Sequence, residues 1–394
     1  MGELLAGNSI YRNVYIWVEG LLPTGWQWVA YFVAGFTIMF LLLNAFLVLT
    51  MVYTYMERRV LGRFQGRLGP NRVGPFGILQ PVADAIKLLT KEDIVPAVAD
   101  RWVFNLAPVV FFVPTVLVLG VVPFGQNSFL ADLNVGILYV LALSSVSTLA
   151  VFMAGWASAN RFALFGSMRA VATLISYELP VLLSMGGVLM LVGSMSLVRI
   201  VEGQRIPFLL LQPLAFLVFL AGISAELNRA PFDMVEAESE LVSGFNTEYS
   251  GMKYGLFALA EFGNVLVAGA IMSVVFLKGW EGPVLPSHLW FLLKVFFFAF
   301  IFVWVRATLP RLRIDQMMGF AWKFLFPLSL VNLVVTGAEV AVWPEATTAQ
   351  LWVMAVINWV VAIVGVVVFS RLVRQRPTQP EVRVFSSAAP SGAR

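Results

Sequence analysis

The chain has 394 residues, of which 60% are hydrophobic and 12% charged, and a formal net charge of +4. A soluble chain of that length would carry about twice the share of charged residues, so a set of ordinary soluble domains is excluded. With no Cys and a single His, His288, the chain also excludes structural disulfides, thiolate-bound iron–sulfur clusters, ordinary Cys/His zinc sites and bis-histidine haem. Any electron carrier must sit in a partner or diffuse.

Several apolar runs reach about 20 residues, enough for a helix to cross roughly 30 Å of hydrocarbon. The chain therefore reads as an all-α polytopic membrane protein. Glu3, Glu19 and scattered polar residues precede the first long run, so the start reads as lacking a cleavable signal. Nine spans are expected, at 28–55, 102–123, 136–157, 171–193, 208–227, 252–277, 288–308, 322–342 and 350–371. Segments 56–101, 158–169, 228–253 and 306–323, with the C-terminal tail, hold 21 of the 26 Lys and Arg. That bias places them in the cytoplasm, with the N-terminus outside. Residues 1–376 form one membrane domain, and the Pro/Ser/Ala-rich tail at 377–394 reads as disordered. No internal repeat suggests the paired halves of many transporters.

The first cytoplasmic loop, ERRVLGRFQGRLGPNRVGPFG, mixes arginines with so many Gly and Pro that a regular helix is not expected there. It leads into Ile78, Val82, Ile86 and Leu89 at helical spacing, opposite Asp84, Lys87 and Lys91. That pattern is an amphipathic helix lying on the membrane surface. The arginines could serve only lipid attraction and topology. Charge alone does not need that many Gly and Pro, which favours a shaped floor for a ligand or a docking surface.

Two carboxylates lie inside spans, where charges are costly. Glu178 stands nine residues beyond Arg169, ~13 Å deep, just before Pro180; Glu261 stands eight residues beyond Lys253, ~12 Å deep. Glu57 and Glu226 end spans one and five. Such groups resist ionisation and can hold and release protons near working pH. For any one of them the alternative is a hydrogen bond to a neighbouring Ser or Tyr that only cements packing. Glu339 and Lys294, near the outer ends of their spans, are expected to reach for the interface and are given no role.

Six of the 22 carboxylates fall between Glu226 and Glu248, with Arg229 as the only cation: Glu226, Asp233, Glu236, Glu238, Glu240 and Glu248. A plain solvated loop or a Mg²⁺/Ca²⁺ site would also suit such a cluster, although the EF-hand pattern is missing. Phe232, Met234, Leu241, Val242 and Phe245, threaded through it, predict that it folds back on the protein. The acids then mark the mouth of a polar path.

The segments ERRVLGRFQGRLGPNRVGPFGILQPVADAIKLLTKED and AELNRAPFDMVEAESELVSGFNTEYSGMKYGLFALAEF closely resemble the H subunit of bacterial NADH–quinone oxidoreductase, respiratory complex I, whose mitochondrial counterpart is subunit 1. The resemblance covers roughly 30–320. It implies the heel of the membrane arm of a proton-pumping enzyme in the bacterial inner membrane, with no complete active site in this chain alone. Partners would be the peripheral-arm quinone-site and terminal iron–sulfur subunits, and small membrane-arm subunits leading to antiporter-like ones. FMN and iron–sulfur clusters would lie in those partners, with quinone as substrate, lipids around the spans and no nucleic acid. Matched positions imply a proton relay of Glu57, Asp84, Glu178, Glu226, Asp233, Glu236, Glu238 and Glu261, and quinone contacts at Arg58, Phe232 and Phe262. Asp84 enters through the resemblance alone. The quinone tail would come in between span one and the surface helix. Two alternatives stay open: the homologous membrane component of a membrane-bound hydrogenase, and a stand-alone transporter or channel.

Overall fold

The computed structural model describes residues 9–23, 27–234, 242–344 and 346–374. Among them eight helices are long and apolar enough to cross a membrane. In chain order the helices are α1 (Ser9–Glu19), α2 (Gln27–Phe64), α3 (Gln80–Thr90), α4 (Arg101–Leu119), α5 (Gly136–Ala157), α6 (Arg161–Val192), α7 (Leu197–Gly203) and α8 (Phe208–Leu211). They continue with α9 (Pro213–Glu226), α10 (Gly251–Phe276), α11 (Ser287–Thr308), α12 (Ile314–Phe320), α13 (Phe326–Val342) and α14 (Thr348–Arg374). A π-helical turn, Ala321–Leu325, joins α12 to α13. This is the all-α membrane architecture expected, with its surface helix in the first long loop.

The axis of the bundle is α10. Its apolar window is 78% buried, against 17% for α2 and 22% for α14. Small residues let its neighbours approach closely. A Cβ on Gly263 would fall 2.3 Å from the Phe46 ring, and one on Gly269 would fall 3.0 Å from the Val295 carbonyl.

Three elements depart from expectation. The first span runs on as helix to Phe64, through Arg58, Arg59 and Arg63, because Gly62 is the only glycine in that extension and the breaking Gly and Pro begin at Gly66. The fifth span is not one helix: the single turn α8 stops at Gln212, and Pro213 opens α9. A proline disfavours the α conformation in the residue before it, and Gln212 takes φ −129°, ψ 67°. That leaves α9 with 14 residues. Finally, α1 was not foreseen; it lies against the start of α2, where the Tyr11 hydroxyl donates to the Tyr31 carbonyl at 2.9 Å.

The connections after α2, α9 and α11 meet at one end of the bundle, here called the loop-rich end. Gly77 closes the first of these by taking φ +81°, where any Cβ would sit 2.2 Å from the Pro70 carbonyl oxygen. The surface helix α3 presents Ile78 (just before it), Val82, Ile86 and Leu89 outward, all exposed. That is the apolar stripe its spacing predicts.

The loop after α9 folds back as expected over its described part. Phe245 is fully buried against Phe111 and Phe257. Tyr249 stacks on Phe104 at 4.1 Å, and Gly166 of α6 touches the Gly244 backbone closely enough to forbid a Cβ. Val242, expected to fold in, is instead exposed. Glu236, Glu238, Glu240 and Leu241 lie outside the described residues, as does the tail at 377–394.

Candidate functional site

The loop-rich end carries a rim of acids, each answered by an arginine. On α2, Glu57 is buried and accepts from Arg229 at 2.9 Å and from Arg306 of α11. The Arg229 guanidinium also lies 4.8 Å over the Phe262 ring, and the Tyr53 ring packs 6.3 Å from Phe262. Next along α2, Arg58 donates to Asp84 of α3 at 2.5 Å, and Gln80 donates to the other oxygen at 3.0 Å. Partial burial pushes the Asp84 carboxyl up, but the hydrogen bonds from Arg58 and Gln80 and the nearby charges outweigh it and hold it below its ordinary value. Asp233 is buried and accepts from Arg311 at 3.0 Å. The backbone seals the same contact, since the Leu312 amide donates to the Pro231 carbonyl at 2.9 Å.

Beneath the rim lies a cavity of about 110 Å³ enclosed by α4, α5, α6, α9 and α10. At ~30 Å³ per molecule it could hold about three waters. Glu178 from α6, Glu226 from α9 and Glu261 from α10 all line it. The depths read from the sequence are therefore matched by a shared chamber. No Lys, Arg or His lines it. Instead the carboxylates face hydroxyls of α5: Ser145 Oγ donates to Glu178 Oε1 at 2.5 Å, and Ser144 lines the cavity with Glu226. Glu226 Oε1 and Asn228 Oδ1 are buried acceptors without a protein donor. On the opposite wall Thr115 donates to Asn264 at 2.8 Å.

Cavity and rim are joined through neighbours in sequence. Asn228 lines the cavity while Arg229 binds Glu57. Glu261 lines the cavity while Phe262 lies under Arg229. Glu57 and Arg58 are adjacent on α2 and reach Arg229 and Asp84 respectively. The rim and the cavity thus adjoin at two places along the chain, Asn228–Arg229 and Glu261–Phe262.

The three residues assigned to quinone do not gather in that cavity. Arg58 is on the rim with Asp84. Phe262 is under Arg229. Phe232 packs between Tyr177, at 5.3 Å, and Phe320, at 6.1 Å. One further expectation is corrected. Glu339 does not reach for the interface; it is buried between α13 and α14 and accepts from Asn358 at 2.9 Å. Lys294 reaches toward the outer end of its span and donates to the carbonyls of Leu277, Gly279 and Glu281 at 2.6–2.8 Å. It thereby occupies the bare acceptors past the end of α10, where a cation is favoured.

Sequence reasoning missed Arg306, Arg311, Asn228 and the α5 hydroxyls. The last had a visible signal: Ser144, Ser145, Ser147 and Thr148 crowd into five positions of an otherwise apolar span. Among the described residues no three of His, Asp and Glu gather to hold a metal ion.

The sequence pattern of the NADH dehydrogenase family matches residues 36–337. Among curated proteins, an H subunit of NADH-quinone oxidoreductase from Dehalococcoides mccartyi is 54% identical over 325 residues, covering 82% of this chain and 91% of that one. An H subunit of the same enzyme from Geobacter metallireducens is 53% identical over 74% of this chain and 92% of its own. One from Geobacillus kaustophilus is 49% identical, with 83% and 98% covered.

Proposed function

The chain belongs to the NADH dehydrogenase family, and from that premise we propose that it is the membrane-arm subunit of an NADH–quinone oxidoreductase whose rim and cavity couple quinone reduction to proton movement. Quinone is reduced to quinol by two electrons, supplied by the redox centres of partner subunits, and takes up two protons. The loop-rich end, which carries most of the cations, faces the cytoplasm in this reading, with partner subunits docked on it. The quinone headgroup sits near Arg58, Phe232 and Phe262, and its tail passes between α2 and the exposed stripe of α3.

The observation that carries the reading is the shared cavity of Glu178, Glu226 and Glu261, linked through Asn228 and Arg229 to Glu57. Proton uptake at the rim alters the charge felt by Arg229 and Glu57. The 226–229 backbone passes that change to Glu226, and the cavity, with room for a few waters, passes it to Glu178 and Glu261. Asp233 joins the rim through Arg311, and Glu236 and Glu238 extend it. From the cavity the change travels on to the antiporter-like subunits.

The test is Glu178→Gln and Glu226→Gln in the assembled complex. Proton-coupled quinone reduction should fall on the order of 100-fold, as for loss of a proton-transfer group, with the complex intact. Parent-like coupled rates in both variants would end the relay reading.

A further inference from the structure

Ser145 Oγ has one proton and two acceptors within reach: Glu178 Oε1 at 2.5 Å and the Leu141 carbonyl, one turn back, at 3.2 Å. A serine in a membrane helix commonly bonds the carbonyl four residues back, and that alone signals nothing. Ser147 does so, to Leu143 at 3.3 Å. Ser145 differs in that a carboxylate from another helix is the nearer partner.

We propose that Ser145 is a positioning residue for Glu178, a hydroxyl that donates to the ionised carboxylate and accepts from the protonated acid. When Glu178 is ionised, the Ser145 proton points to Oε1. When a proton arrives on Glu178, the acid donates to Ser145 Oγ, and the hydroxyl turns its own proton to the Leu141 carbonyl. No heavy atom has to move, and the bond is never left without a proton. Both charge states of Glu178 are thereby held at one position.

The setting makes this necessary. The titratable groups facing the cavity are Glu178 from α6, Glu226 from α9 and Glu261 from α10, all acidic. The walls from α4 and α5 add only neutral groups, and no cation lines the space. Among the described contacts of Glu178, the Ser145 hydroxyl is what answers its negative charge. The preceding residue, Ser144, lines the cavity together with Glu226, so one turn of α5 faces carboxylates from two helices.

This inference rests on the relay reading, and the test separates the two. Coupled quinone reduction is measured in the assembled complex for Ser145→Ala, Ser145→Thr, Glu178→Gln and the Ser145→Ala/Glu178→Gln double variant. Infrared difference spectra follow the C=O stretch of protonated Glu178, identified by its absence in Glu178→Gln. Ser145→Ala should lower the rate about tenfold, the effect of one hydrogen bond to a charged group, and move the Glu178 band. Ser145→Thr should keep both near parent values. In the Glu178→Gln background the alanine should change the rate less than about twofold, since both changes act through one group. An equal loss in both backgrounds, or an unmoved band, would reduce Ser145 to packing. A parent-like Ser145→Ala beside an impaired Glu178→Gln would overturn the Ser145 role alone. A fully active Glu178→Gln would overturn the relay itself. Should Ser145→Ala not assemble, Ser145→Cys, similar in size but a weak donor, takes its place with the same readings.

Discussion

The rim and the cavity treat carboxylates in opposite ways. At the rim Glu57 is clamped by Arg229 and Arg306, Asp233 by Arg311 and Asp84 by Arg58. In the cavity Glu178 and Glu226 face serines, and no cation lines the space. An acid paired with arginine has its negative charge answered by a positive one, and removing either partner of a buried pair is costly. An acid held by a hydroxyl is served equally well with or without its proton, since the hydroxyl can donate or accept. The rim is therefore suited to sense and anchor charge, and the cavity to change it.

Stability measurements can break that contrast. The largest effect is expected at Glu57. Glu57→Leu removes the buried anion that Arg229 and Arg306 share and should destabilise by about 3–5 kcal/mol, read as a drop in the thermal midpoint of the purified complex. A midpoint equal to the parent's would mean that the clamp is not structural.

Next comes Gly77, which sets the backbone of the rim loop. Gly77→Ala forces a Cβ into a φ of +81° and against the Pro70 carbonyl. A loss of about 2 kcal/mol, with weakened coupled activity, is expected. If the variant is as stable as the parent, the rim is held by its ion pairs rather than by its backbone.

A smaller effect is expected in the cavity. Glu178→Gln keeps a carbonyl for Ser145 to donate to, so stability should change by less than ~1 kcal/mol, although coupled activity collapses. A loss as large as that at Glu57 would erase the distinction between the two regions.

The smallest concerns Asp84. Its folded pKa is held below the ordinary carboxylate value by Arg58 and Gln80. The stability from this pair is thus complete above about pH 4 and vanishes as pH falls through the lowered pKa. Both side chains are partly exposed, so it amounts to less than ~1 kcal/mol. The stability gap between parent and Asp84→Asn should hold from neutral pH down to about pH 5 and close in stronger acid. A gap that persists there would show that the contact is not electrostatic.

Eight of the nine expected spans and the shared level of Glu178 and Glu261 at one cavity were legible because hydropathy and helical rise are local rules. The surface stripe of α3 was legible for the same reason. The rim pairs were not: Arg306 stands 249 positions from Glu57 and Arg311 stands 78 from Asp233, and nothing local announces partners at such separations. Glu339 was misread because position near a span end was taken as exposure, whereas the Asn358 amide captures it inside. The break at Gln212 could have been foreseen from Pro213, but the run of apolar residues across it outweighed one proline.

That break has a consequence for how the molecule is made. With 14 residues, α9 measures about 21 Å, well short of the hydrocarbon thickness. Its flanks, Gln212 and Glu226, are polar, and most of its residues are buried against neighbours. Lipid alone offers such a segment no stable place. During synthesis it can pack on α6, already made, but must wait for α13 and α14 after it. Biogenesis of this protein therefore hinges on a helix that the bilayer accepts only in company.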